Sequence, residues 1–146
     1  MKVYISRWGT SKKPENDEFI HVSNLMWLDN LVLDSEARII VVDNFFQQFT
    51  IKEIPVVMEK ILSKLRLGGE LLIEETDIDV VSLKYYRGDL SLEEVNNTMF
   101  LNESSIKSVF TVEFFRSLLS SLNITITELS LDNRTASFLI KAGRQK

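Results

Sequence analysis

The sequence predicts an α/β domain with a mostly parallel sheet, flanking helices and an antiparallel hairpin at its C-terminal end. Three observations carry that expectation. Arg38 to Asn44 (RIIVVDN) holds an unbroken Ile/Val run with no polar alternation, as a strand covered on both faces does. Thr50 to Leu65 then repeats apolar residues at helical spacing, and Gly68-Gly69 leads into Glu70 to Glu75 (ELLIEE), so strand, helix and strand form a right-handed parallel crossover. Finally, Ile124 to Leu131 and Thr135 to Ala142 read as strands separated only by Asp132-Asn133-Arg134, a turn short enough to require a hairpin.

The remaining elements follow in order. Lys2 to Arg7 and Glu18 to Ser23 (EFIHVS) carry the β-branched and aromatic residues of strands, and the polar segment Lys12 to Asp17 between them is a loop containing Pro14. Leu25 to Leu33 is apolar but irregular, and is expected to cross the surface of the core. Thr50 and Glu53 have capping-box spacing at the head of Ile51, Ile54, Val57, Met58, Ile61, Leu62 and Leu65, which are expected to share one helical face. Pro55 fits only the first turn of that helix. Lys64 and Arg66 suit its last turn, and Gly68-Gly69 is expected to terminate it. Asp77 to Arg87 is an amphipathic stretch. Ser91 to Glu94 is a second capping box, and Thr111 caps a helix carrying Val112, Phe115, Leu118, Leu119 and Leu122. Phe45, Phe46, Phe49, Phe110, Phe114 and Phe115 are mostly core by the same pattern.

The 146 residues make one domain, residues 1–146, long enough to bury a core without staples. Cys is absent, which removes thiolate chemistry and disulfides and fits a reducing, cytoplasmic setting. A net charge of -4 argues against nucleic-acid or membrane-surface binding, and Arg7, Lys12 and Lys13 form only a short local cluster. No stretch approaches a membrane span, and Lys2, Ser6 and Arg7 interrupt any signal-peptide core. A protein partner or a homo-oligomer is compatible with this composition.

The segment Ile61 to Asp77 (ILSKLRLGGELLIEETD) resembles the helix, LKPGG, apolar strand and acidic turn of the Rossmann-like S-adenosylmethionine-dependent methyltransferases, with Leu67 where Pro is usual. The rest of the chain threads onto a short version of that fold. KVYIS matches the first strand and EFIHVS the second, Leu28 to Phe49 matches the segment ending in the next strand and its loop, and Ile124 to Gly143 matches the closing strands. The resemblance implies S-adenosylmethionine as cofactor, bound by Ser6, Arg7, Gly9, Ser23, Asn24 and Asp29, with Asp43 and Asn44 facing the transferred methyl. The acceptor, a small molecule or a protein, is not implied.

The departures fall where that chemistry sits. Ser6, Arg7, Trp8 and Gly9 occupy a loop in which the family places glycines, so that backbone N–H groups can approach the cofactor. Ser23-Asn24 replaces the ribose-binding acid, leaving neutral hydrogen bonds in place of charge-assisted ones. Gln47-Gln48 stands where a Glu-His-like pair is usual, and cannot titrate. Two functions follow: a small methyltransferase relying on proximity, or a catalytically inactive pseudo-methyltransferase kept as a binding or assembly module. His21, the lone histidine, reads as a sheet residue with no partner for metal or nucleophile chemistry. Glu74, Glu75, Asp77 and Asp79 form either an acidic rim facing substrate or the acid-decorated start of a helix. Tyr85, Tyr86 and Arg87 read as a substrate lid, or the aromatic pair as packing residues.

Overall fold

The computed structural model describes residues 1–7, 18–100 and 106–145. The elements run β1 (Lys2–Ser6), β2 (Phe19–Val22), α1 (Leu25–Leu31), β3 (Ala37–Asp43), α2 (Ile54–Lys64), β4 (Leu65–Thr76), α3 (Ile78–Tyr86), α4 (Leu92–Phe100), α5 (Val112–Ser121), β5 (Thr125–Asp132) and β6 (Ser137–Gly143). A short 3-10 turn, Phe46–Gln48, follows β3. The loop expected over Lys12 to Asp17 lies outside the described residues.

Six strands form one sheet in the order β2-β1-β3-β4-β6-β5. β1, β2, β3 and β4 pair in parallel, and β6 enters antiparallel between β4 and β5. This is the expected Rossmann-like sheet with its C-terminal hairpin, and β5 is its edge strand. The connection expected to be a turn at Asp132 to Arg134 runs on to Ala136, which adopts a left-handed φ of 52°.

Helices cover one face of the sheet across β1, β3, β4 and β6, while Leu129 and Leu131 of the edge strand β5 stay exposed on that face. Val3, Ile5, Ile40, Val42, Leu71, Ile73, Phe138 and Ile140 point to it and share a core with Leu28 of α1, Met58 and Ile61 of α2, and Phe115 and Leu119 of α5. Alternation of side chains along a strand sends Ile39, Val41, Leu72 and Leu139 to the other face, where each is only half-buried. The Ile/Val run therefore overstated the burial of β3. Its side chains meet a helical layer on one side.

Two of the three expected helix starts follow the sequence signals. At α2 the box is only half formed: the Glu53 carboxylate accepts the Thr50 N–H and hydroxyl, at 3.2 and 2.8 Å, but the Glu53 N–H bonds the Thr50 carbonyl and Glu53 itself is the N-cap. Ser91 and Glu94 exchange reciprocal bonds of 3.1 Å, a complete capping box. The Thr111 hydroxyl caps α5 through the Phe114 N–H. Leu25 to Leu33, read as an irregular crossing, contains the helix α1, because Asn24 supplies the cap that a purely apolar pattern conceals.

The Gly68-Gly69 pair does not end α2. The helix stops at Lys64, Leu65 turns extended, and Leu65 already pairs with Ala37 as the first residue of β4. Residues 66–69 bulge out before Glu70 resumes pairing with Ile39. The glycines are needed inside that bulge: Gly68 has φ 75°, and a Cβ on Gly69 would lie 2.7 Å from Leu65 Cδ1 and 2.9 Å from the Arg66 carbonyl oxygen. Arg144 fastens the bulge. Its N–H donates to the Gly69 oxygen at 3.1 Å, its carbonyl accepts from Gly68 N–H at 2.7 Å, and its guanidinium donates to the oxygens of Leu65 and Leu62.

Overpacking at a site walled by backbone costs about 1–3 kcal/mol. Gly69→Ala is therefore expected to lower the unfolding free energy by that amount, read as a lower urea midpoint at unchanged slope. Gly88→Ala, with open space around it but φ 79°, should cost about 1 kcal/mol from the left-handed backbone alone. A Gly69→Ala protein as stable as the parent would contradict the bulge geometry.

Candidate functional site

In an open α/β sheet the ligand crevice lies at the C-terminal ends of the strands, where the strand order reverses. Here that reversal lies between β1 and β3, because the chain moves outward from β1 to β2 and then returns across it to β3. Ser6 pairs with Asp43, which pairs with Glu74, so the last residues of β1 and β3 stand side by side next to the end of β4.

Asp43 is 1% exposed. Its Oδ2 accepts from the Tyr4 hydroxyl at 2.5 Å and its Oδ1 from the Asn44 side-chain amide at 2.9 Å. Burial first, then the bond to Asp43, holds the Tyr4 hydroxyl well above the ordinary tyrosine range, so Tyr4 stays a donor. Asn44 turns the chain with φ 47°, a conformation asparagine tolerates better than most residues, and its N–H donates to the Glu74 oxygen at 2.9 Å. The buried Gln47 amide donates to the Asn44 side-chain oxygen at 3.1 Å and more weakly to its carbonyl.

Glu75 projects to the helix-covered side, 1% exposed. One oxygen accepts the N–H groups of both Phe45 and Phe46, at 3.0 and 2.9 Å. These bonds favour the carboxylate and so does the nearby Arg7 charge, but desolvation outweighs them and Asp43 adds repulsion. The Glu75 pKa is pushed up to about 8. The carboxyl thus ties the end of β4 to the loop leaving β3, the segment that carries Asp43, Asn44 and Gln47.

The sequence-predicted site residues divide into three groups. Ser6, Asp43 and Asn44 come together at the reversal point; Ser6 is buried, and Arg7 is half-buried and close enough to Glu75 to favour its charged form. Ser23 and Asn24 follow β2 at the same sheet edge; Ser23 is exposed, while the Asn24 oxygen caps α1 by accepting the Trp27 N–H at 2.8 Å. Asp29 sits further along α1, and its carboxylate is engaged by Lys60 and Lys64 of α2, which lower its pKa. Its visible work is to hold two helices together. Gly9, along with Trp8, Lys12 and Lys13, lies outside the described residues.

The acidic run resolves differently at each position. Asp77 caps α3 through the Asp79 N–H at 2.8 Å, the helix-start reading, and Glu75 is the buried clamp. His21 lies on β2 against the Tyr4 ring, at 5.4 Å between centroids. Tyr4 belongs to the site's network without a sequence signal of its own, since it lies mid-strand and reaches Asp43 across the β1–β3 pairing. Gln47, noted in the sequence only as a non-titrating residue at the family's Glu-His-like position, joins the network through Asn44.

No family model matches the chain, and no curated protein matches its sequence. Solved structures do resemble it. An S-adenosylmethionine (SAM)-dependent methyltransferase from Methanosarcina mazei aligns over 99% of this chain and 92% of its own, with TM-score 0.66 and 17% identity. A SAM-dependent methyltransferase from Archaeoglobus fulgidus aligns over 97% and 85%, with TM-score 0.59 and 11% identity. The magnesium protoporphyrin IX methyltransferase of Synechocystis, solved with bound SAH, aligns over 87% of this chain and 51% of its own, with TM-score 0.55 and 11% identity. The chain has a SAM-dependent methyltransferase-like fold.

The raised pKa of Glu75 sets a pH dependence. An acid that binds its proton more tightly folded than unfolded stabilises the fold fully below its unfolded pKa, near 4.5, and loses that stabilisation as pH rises through the folded value. Stability should fall between about pH 5 and pH 8, by at most about 1.4 kcal/mol per unit from this group. Glu75→Gln keeps an oxygen for the Phe45 and Phe46 N–H groups and removes the titration, so its urea midpoint should be flatter over that window. An undiminished slope in the variant would exclude Glu75 as its source.

Proposed function

We propose that this protein is a small SAM-dependent methyltransferase that binds its cofactor across the C-terminal ends of β1 and β3. The observation that carries this reading is the cluster of Ser6, Asp43 and Asn44 at the point of strand-order reversal, within a methyltransferase-like sheet. The donor set suits the ligand. A buried carboxylate already holding two neutral donors retains lone pairs for a cation, and the Ser6 hydroxyl can both give and take a hydrogen bond. Ser23, Asn24 and Arg7 flank the same edge and complete the proposed cofactor contacts, with Gly9 beyond them along the chain. Asp29, engaged by two lysines, contributes through the placement of α1.

SAM supplies an electrophilic methyl group on a sulfonium. What this chain supplies is position: Tyr4 and the Asn44 amide fix both oxygens of Asp43, and Glu75 fixes the loop that follows. Holding two reactants in line can furnish a large part of a transfer barrier without a strong base. The absence of a titratable pair at Gln47-Gln48 is compatible with that economy. The acceptor is a small molecule or a protein.

Calorimetric titration is expected to show micromolar binding of both SAM and SAH. Asp43→Asn should weaken SAM, which bears the sulfonium charge, by about tenfold, equivalent to about 1.4 kcal/mol, and SAH by less. No binding of either compound at millimolar concentration would overturn the proposal.

A further inference from the structure

The opposite end of the sheet carries a second constellation. A cleft of about 260 Å³ is lined by Arg38, Ile39, Arg66, Gly68 and Glu70. Both arginines are exposed and neither forms an ion pair among the described residues. Their neighbours differ in this respect. Lys2 is paired with Glu18, Lys60 and Lys64 with Asp29 and Asp34, and Lys141 with Glu70 at 3.5 Å. The Arg144 guanidinium is spent on the carbonyls of Leu62 and Leu65. Arg38 also helps to lower the Glu18 pKa, though the bond and charge of Lys2 act first. Among the described cations that form no ion pair, Arg38 and Arg66 share one cleft.

We infer that this cleft binds the phosphate group of a phosphomonoester, gripped between Arg38 and Arg66. Two guanidinium forks match a dianion bidentately, whereas a carboxylate or a phosphodiester offers a single charge. Lys141 offsets the charge of Glu70, the one acid on the cleft wall. The wall is preorganised. Arg66 stands on the bulge that Arg144 fastens from two sides, and Gly68 puts no side chain in the ligand's path. The acidic net charge of the whole chain disfavours a polyanion, which separates this site from a nucleic-acid surface. The site lies at the sheet end away from the proposed cofactor crevice and does not depend on that reading.

Titration of the intact protein with inorganic phosphate at about pH 8, followed by amide and arginine Nε chemical shifts, tests the proposal. Saturable shifts are expected at Arg38, Arg66 and Gly68. Arg38→Gln and Arg66→Gln should each weaken binding by about tenfold, and Arg66→Lys nearly as much because it loses the fork. All three substitutions are at exposed positions and should leave the melting temperature unchanged, so loss of binding is separable from loss of fold. Three results would overturn the inference: no saturable shift at tens of millimolar phosphate, equal affinity in all variants, or binding of a single-stranded oligonucleotide without binding of phosphate.

Discussion

The candidate site depends on one buried carboxyl group. Glu75 ends the central run of β4 on the covered face of the sheet, and its oxygen accepts two successive backbone N–H groups from the loop that leaves β3. Those N–H groups would otherwise be orphaned donors in an apolar pocket lined by Phe45 and Phe46, each fully buried. Satisfying them fixes the direction in which the chain departs from Asp43. Asn44 can then adopt its left-handed turn, Gln47 reaches back to it, and Asp43 stays in register with Ser6 and Glu74. The cost is the desolvation of an acid, visible in its raised pKa.

The sheet distributes its work between its two ends and its two faces. Three helices close one face over a core of aliphatic residues and phenylalanines. The C-terminal strand ends gather the polar network of Tyr4, Asp43, Asn44 and Glu75. The other end is built around a glycine bulge that no side chain could enter at Gly69. Insertion of β6 between β4 and β5 links these regions, because its last residues pair with the start of β4 and continue directly into Arg144, the residue that secures the bulge.

Much of the fold was legible in the sequence because local signals and tertiary demands agreed. The Ile/Val run of β3, the caps at Ser91 and Thr111, and the short final turn each specify one element by short-range physics. Gly68-Gly69 misled because a glycine pair serves a helix terminus and a β-bulge equally well; the choice falls to Leu65, which pairs with Ala37 before the glycines arrive. Ile39 and Val41 misled because apolar composition reports what a side chain tolerates, not what covers it. The site was legible where it lies at a strand end, at Ser6, Asp43 and Asn44. It was illegible for Asp29, since a helical acid looks the same whether it faces a ligand or two lysines of the next helix. Tyr4 was hidden because only pairing across strands reveals its reach to Asp43.

The proposed cofactor site lies at the C-terminal strand ends of β1 and β3. Backbone amide shifts on addition of SAH to the isotopically labelled protein test it most directly. Saturable shifts are expected to concentrate at Ser6, Arg7, Ser23, Asn24 and 43–47, with residues 66–70 unmoved. Shifts confined to the glycine bulge, or spread evenly over the surface, would contradict it.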